Sequence, residues 1–340
     1  MKSRVTLTDV ATRAGVHVTT ASRALNPASR LMVNAATAQR VDRAAAELGY
    51  SPNALARSLR TQRSSTVGVL IPDLNNPLFP PMIRGIEAVL VAEGISTLIA
   101  NTDNDAAKEQ QAFETLMSRQ VDGFIFATSK RVDPFIRRAQ VEGVRGVLIS
   151  RVTEDPLFRS VLADDDDGIA QILAHLHGQG HRSIAHIAGP ETTSAGFERA
   201  RAFRAACQRY GLSVESCPVA WGEAFSVDAG RTVMASLLTR KLGFTAVVAG
   251  NDLMAVGVMR ELQHHGLRCP EDVSVVGFND TLLSADLGPG LTTVSVPLRE
   301  IGMQAARLIL DETLTWDQRF PVTLMVRGST APPRGHSAPP

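Results

Sequence analysis

A chain of 340 residues, 44% hydrophobic and 20% charged, exceeds one ordinary core and has the balance of a globular protein of two or three domains. No apolar run nears the roughly 18 residues of a membrane helix, and no apolar stretch after the first charges forms a signal peptide. The net charge of +1 hides an asymmetry: residues 1–63 hold ten Lys and Arg against three acids, Asp9, Asp42 and Glu47, so the rest carries 25 basic and 31 acidic side chains.

A basic head on a mildly acidic body points to an anionic polymer as partner of the head, although a basic surface without a partner gives the same count. Cys207, Cys217 and Cys269 show no C-x-x-C pair and no zinc spacing. The expected compartment is therefore a reducing cytoplasm, with three ordinary thiols and no metal or cofactor.

The head predicts helices. Thr6 with Asp9 three residues on makes a capping-box start, Val10, Ala11 and Ala14 share a face, and Gly15 ends the helix. A second helix is expected from Val18 to about Leu25, with Ala21 and Leu25 inward and Asn26-Pro27 as the stop. Asn34 caps a third, with Val41, Ala45 and Leu48 buried and Gly49 closing it. Two short helices joined by a tight turn, with a third in support, make a helix-turn-helix.

That arrangement puts the start of the second helix in a DNA major groove. His17, Val18, Thr19, Thr20 and Ser22 stand there, with Arg23 one turn along. Hydroxyls and helix N-terminal amides suit phosphate oxygens, Arg suits guanine, and Val or Thr methyls suit thymine. Thr and Ser could merely cap the helix, but a cap uses one such residue.

Residues 51–65, SPNALARSLRTQRSS, have a Ser cap, Pro at the first helical position, and about two possible turns from Asn53 to Arg60. So short a helix folds only against something. Ala56 and Leu59 lie on one side and Arg57 and Arg60 on the other, which suits a Leu wedge in a minor groove. A plain linker is the alternative.

The body alternates apolar runs with helical patterns: VGVLIP, STLIAN, GFIFAT, GVLIS, SIAHIAG, AVVAG and VSVVGF, spaced about every 25–30 residues. This is α/β with parallel sheets covered on both faces. Seven or more units fit two lobes with a cleft. Ligands of such sheets sit beyond the carboxyl ends of the strands. The candidates are Asp73, Asn75, Asn76, Leu78 and Phe79, then Ser129, Arg151, Asn251, Asp252, Asn279 and Asp280. Amides, carboxylates, an Arg and a Phe suit a small polyhydroxylated molecule.

TLTDVATRAGVHVTTASRALN, ELGYSPNALARSL and VGVLIPDLNNPLFPPMIRGIE resemble the lactose-repressor (LacI/GalR) family of bacterial transcription regulators. GHRSIAHIAGP, AVVAGNDLMAVGVMRELQHHGLRCPEDVSVVGFND and LTTVSVP match the same family, so the resemblance covers nearly the whole chain. It implies a helix-turn-helix head at 1–50, a hinge helix and linker at 51–65, and a two-lobed periplasmic-binding-protein-like effector domain at 66–330. The lobes are expected at about 66–162 with 291–320, and at 163–290 with 321–330, followed by a disordered tail at 331–340.

Carried over by position, the resemblance gives Val18, Thr19 and Arg23 base contacts. It gives Thr6, Thr20, Ser22 and Asn26 phosphate contacts, and puts Leu59 with Ala56 in the central minor groove, flanked by Asn53. Its effector contacts are Leu78, Phe79, Ser129, Arg151, Arg199, Phe225, Asn251 and Asn279. It implies a homodimer on a near-palindromic double-stranded operator, a sugar-type effector, no catalysis and no membrane partner.

The departures are informative. His17 replaces the usual Ser cap, Asn279 a usual Asp, and Ser150 a frequent Asp. Losing two carboxylates leaves Arg151 and Arg199 less neutralised and shifts the expected ligand towards a sugar acid or sugar phosphate. An enzyme is the rival class, but no G-x-G-x-x-G, P-loop or G-x-S-x-G occurs. His175, His177, His181 and His186 straddle a helix end, a turn and a strand, which points to structural roles. A transport-type binding protein leaves the basic head unexplained.

Overall fold

The computed structural model describes residues 5–26, 29–50, 64–314 and 317–334. Two compact units are present, Met1–Ser64 and Ser65–Pro340. The hinge positions Asn53, Ala56 and Leu59 lie outside the described residues.

In the first unit, α1 (Leu7–Ala14), α2 (Val18–Leu25), a 3-10 turn (Arg30–Met32) and α3 (Ala35–Leu48) surround a small core. The Thr6 hydroxyl accepts from the Asp9 amide at 3.3 Å while Asp9 Oδ2 accepts from the Thr6 amide at 2.8 Å, closing the expected capping box. Gly15 and Gly49 end α1 and α3 with φ near 64°, where a side chain would be strained. The core is mostly alanine, with Ala11, Ala14, Ala21, Ala24, Ala38, Ala44 and Ala45 joined by Val10 and Val41. Leu25 and Leu48 are half-buried at its rim, and Ala24 takes the inward place expected for Leu25. Small side chains let these short helices approach closely.

The second unit holds two six-stranded sheets. The first runs β11-β5-β4-β3-β1-β2, all pairs parallel. Its strands are β1 (Thr66–Ile71), β2 (Ser96–Asn101), β3 (Gly123–Phe126), β4 (Gly146–Ile149), β5 (Arg159–Ala163) and β11 (Asp317–Phe320). The second runs β12-β10-β9-β8-β6-β7, with β12 antiparallel. It contains β6 (Ile184–Ala188), β7 (Val219–Trp221), β8 (Ala246–Ala249), β9 (Ser274–Asn279), β10 (Thr292–Ser295) and β12 (Thr323–Met325).

Helices α4 (Phe79–Ala92), α5 (Ala106–Ser118), α6 (Pro134–Val141) and α11 (Leu298–Leu310) belong to the first lobe. Helices α7 (Asp165–Gly178), α8 (Ser194–Arg209), α9 (Val227–Thr239) and α10 (Asp252–His264) belong to the second. The central strands are buried on both faces, which is why they read as nearly continuous apolar runs, with His186 as the one polar side chain in these four.

Two boundaries differ from the sequence reading. The return crossing falls after Ser295 rather than near 290, because Thr292–Ser295 pair in parallel with β9. The Thr293 hydroxyl also donates to Asp252 at 2.6 Å, tying the strand into the second lobe. The expected tail is ordered at its start. Ala331 exchanges hydrogen bonds with the Ser274 hydroxyl at 3.0 and 3.1 Å, and Arg334 pairs with Asp272 at 2.6 Å. Residues 335–340 lie outside the described residues.

Both lobes contain one helix pair in backbone contact. A Cβ on Gly85 of α4 would stand 2.1 Å from the Arg299 carbonyl of α11, and one on Gly302 would stand 2.0 Å from the Met82 carbonyl. In the second lobe Gly230 of α9 and Gly257 of α10 meet Met254 and Val227 in the same way, at 2.3 and 2.0 Å. Only glycine fits such crossings.

Candidate functional site

The head uses its acids internally. Asp9 closes the capping box, which holds its carboxyl below the usual range through the Thr6 amide and hydroxyl. Arg30 pairs with Asp42 and donates to the Ala24 carbonyl at 2.9 Å, and Arg13 pairs with Glu47 at 2.7 Å. No ion pair involves Arg23 among the described residues. His17 takes the N-cap of α2, its Nδ1 3.4 Å from the Thr19 amide and 2.9 Å from the Thr19 hydroxyl. An imidazole therefore does the work of the usual serine, and Thr19, Thr20 and Ser22 are not needed as the cap.

His17, Thr19 and Arg23 are exposed, as is Thr6, whose hydroxyl is engaged by Asp9. Val18, Thr20, Ser22 and Asn26 are half-buried, with Val18 packed on the alanine core. Thr19 and Arg23 are four apart, as are Ser22 and Asn26, so each pair shares a helix face.

In the second unit, six predicted effector residues line one small cavity between the lobes: Leu78, Arg151, Arg199, Phe225, Asn251 and Asn279. Asn76, Ser150 and Ala195 complete the wall. The cavity holds about 20 Å³, and an adjoining one that shares Leu78, Ser150, Arg199 and Asn279 holds about 70 Å³. That is room for a few waters, so a larger ligand enters only if the lobes or side chains shift.

Arg199, on α8, is nearly spoken for. Its Nε donates to Asp165 at 3.0 Å, its Nη1 to the Gly250 carbonyl at 2.7 Å, and its guanidinium lies 3.7 Å from the centroid of Phe278. Asp165 is thus the counter-ion expected to be missing. Burial pushes its carboxyl up, against the pull of Arg199.

Arg151 is different. It is buried, yet it has no carboxylate within ion-pair distance among the described residues, and its guanidinium lies 5.7 Å from the centroid of the Phe225 ring. Burial lowers its pKa to about 10, partly opposed by the charge of Glu109. Burial in turn raises Glu109, whose Oε1 has no hydrogen-bond partner among the described residues.

Asn251 caps α10, its Oδ1 accepting from the Met254 amide at 2.9 Å, which leaves its NH₂ group as the donor for a ligand. Ser150, Asn279 and Asp280 have φ of 63°, 116° and 54°, a backbone state that costs energy in non-glycine residues and clusters at functional sites. Asp252 organises this end of the sheet, accepting from the Thr281 amide and from the hydroxyls of Thr281, Ser284 and Thr293. Phe225 packs against Gly189, where a Cβ would lie 2.2 Å from its ring.

Three predicted contacts lie elsewhere. Phe79 is in the hydrophobic core, because the stripe of Phe79, Met82, Ile83, Ile86 and Leu90 on α4 faces inward. Ser129 is fully buried, its hydroxyl has no partner among the described residues, and it does not line the cavity. Asp73 closes a turn onto the Asn75 amide at 2.9 Å. Asn76, a strand-end candidate, lines the cavity, and Ser150 gains a position there that strand spacing alone did not mark.

The histidines at 175, 177, 181 and 186 occupy separate structural places. His175 meets Thr330, His177 stacks on Tyr210, His181 bridges Thr245 and Ala331, and His186 reaches the Val248 carbonyl.

The lobes also touch across the cleft. The Arg131 amide donates to the Thr192 carbonyl at 2.8 Å and its side chain to the Glu191 carbonyl at 3.3 Å. The Ser194 hydroxyl accepts from the Val152 amide at 2.8 Å.

Comparison with known proteins fits both units. Residues 6–53 match the bacterial regulatory proteins of the lacI family, and residues 173–330 match a periplasmic binding protein-like domain. The chain is 32% identical over 339 residues to the HTH-type transcriptional repressor CytR of Escherichia coli (strain K12), covering 97% of each. The lac repressor dimer bound to operator and the anti-inducer ONPF superposes with a TM-score of 0.84 at 27% identity, over 97% of this chain and 100% of that one. A complex of the transcriptional regulator CelR with cellobiose gives 0.72 at 32% identity, over 96% and 100%.

Proposed function

The chain belongs to the lacI family of bacterial regulatory proteins, and on that premise we propose that it binds a near-palindromic operator as a cytoplasmic homodimer and releases or tightens on DNA in response to an acidic sugar derivative held between its lobes. A single head of this size makes too few contacts for useful specificity, and two heads on two half-sites supply them. Base contacts fall to Val18, Thr19 and Arg23, and phosphate contacts to Thr6, Thr20, Ser22 and Asn26. Asn53, Ala56 and Leu59 would fold over the central minor groove.

The observation that carries the ligand class is Arg151. A buried guanidinium without an ion-pair partner among the described residues, lining one cavity with Asn251, Asn279 and Asn76, is a site short of one negative charge. A carboxylate or phosphate supplies it by charge-assisted bonding, hydroxyls of the same ligand meet the amides, and Phe225 covers an apolar face. CelR, by comparison, is described with cellobiose, a neutral sugar.

Effector and operator affinities are coupled by a free energy of typically about 1–3 kcal/mol, and the coupling is reciprocal. The test is a thermal-shift panel of neutral sugars, sugar acids and sugar phosphates on the purified protein. A ligand at 100 times its Kd adds about 2.7 kcal/mol of stability. A shift with acids and none with neutral sugars supports the reading; the reverse order overturns it.

A further inference from the structure

We propose that Glu261, His264 and His265 form a divalent transition-metal site of the zinc type at the C-terminal end of α10, outside the effector cleft. The three side chains offer donor atoms that all lie within 4.8 Å of one another. Glu261 is 6% exposed, which is unusual for a carboxylate. Its carboxylate is surrounded by nitrogen at close range: His265 Nδ1 at 3.4 Å, His264 Nδ1 at 3.8 Å and Arg231 Nε, from α9, at 3.5 Å. All three lie within ion-pair distance but beyond close hydrogen-bond contact, so the carboxylate sits in a ring of nitrogen donors.

The Glu261 carboxylate to imidazole separations of 3.4 and 3.8 Å are close enough for small side-chain shifts to seat one ion between the donors. Zinc bonds of about 2.0–2.1 Å in a tetrahedron place neighbouring donors about 3.4 Å apart. Imidazole and carboxylate together suit zinc and its neighbours rather than calcium or magnesium. Three protein ligands leave a fourth position for water. The site also sits in the last turn of α10, where the negative end of the helix dipole favours a cation.

The Nδ1 of His265 lies 3.0 Å from the Glu261 carbonyl, so coordination through that atom exchanges one neutral hydrogen bond for a metal bond. Arg231 is the competitor, since it now holds the charge of Glu261 in place of the metal. The i, i+3, i+4 pattern E-x-x-H-H is too short to stand out in sequence, where no metal is expected.

Tag-free full-length protein titrated with zinc chloride against a chromophoric chelator tests the site. The expected result is one zinc per protomer, at least tenfold weaker in His264→Ala and Glu261→Gln, and tighter in Arg231→Ala. His264 is 78% exposed, so its removal leaves folding intact, which the unfolding midpoint verifies. Equal affinity in His264→Ala and wild type, or no zinc bound by wild type at about 100 µM, overturns the proposal.

Discussion

The guanidinium of Arg131 stands 3.5 Å from the centroid of the Phe197 ring. Arg131 follows β3 in the first lobe and Phe197 lies on α8 in the second, so a cation–π contact crosses the cleft entrance. Glu154, on the first lobe, pairs with the same guanidinium at 2.5 Å. Such contacts contribute about 0.5–2 kcal/mol. Arg131→Ala should loosen the closed arrangement and enlarge the radius of gyration in small-angle scattering without ligand. An unchanged scattering profile would show that the other cross-lobe bonds suffice.

Arg151 gives a sharper case. Burying a cation without an ion pair is unfavourable, so Arg151→Met should leave the unliganded protein as stable as wild type, or more so. Binding of an acidic effector should weaken at least tenfold, as read by calorimetry. Loss of stability together with retained binding would place Arg151 among structural residues instead.

His186 carries a pH prediction. Burial lowers its pKa from 6.5 to about 4, despite its bond to the Val248 carbonyl. The unfolded chain therefore binds the extra proton between those values. Stability is full above pH 6.5 and falls as pH drops towards 4, by about 3 kcal/mol for this group. Urea unfolding of wild type and His186→Gln across that range should show a smaller pH slope in the variant. Parallel slopes would assign the acid sensitivity to other groups.

The glycine crossings are open to direct test. Gly302→Ala puts a methyl 2.0 Å from the Met82 carbonyl, against backbone that cannot rotate away. Overpacking of this kind costs typically about 1–3 kcal/mol, seen as a lower midpoint in thermal unfolding. Gly211→Ala, with open space around its Cβ but a φ of 66°, separates crowding from backbone strain.

The two-lobed body was legible because its strands are buried on both faces. GFIF and AVVA have no polar interruption, and loop and helix signals separate them. The head was legible through Thr6, Asp9, Gly15 and Gly49, each a local device with a local cause. What sequence could not supply was pairing at distance. Asp165 looks like its neighbours Asp164, Asp166 and Asp167, acids at a helix start, yet only Asp165 meets Arg199, 34 residues on. Phe79 was misplaced for another reason: a residue just past a strand end also begins a helix, and the helix phase turned it inward. The crossing expected near 290 falls later because Thr292 and Thr293 belong to the sheet, the Thr292 amide donating to the Ser329 hydroxyl and the Thr293 hydroxyl to Asp252.

Glycine-locked helix pairs in both lobes bear on how a signal travels. Helices in backbone contact cannot slide without breaking many contacts at once. Each lobe then behaves as a stiff plate, and deformation concentrates in the three short crossings, at 163–165, 295–298 and 320–323. Those connections set the axis about which the plates turn. A mutation there would alter the communication between effector and operator while leaving both binding surfaces unchanged, a phenotype in which the protein still recognises each partner but no longer relates one to the other.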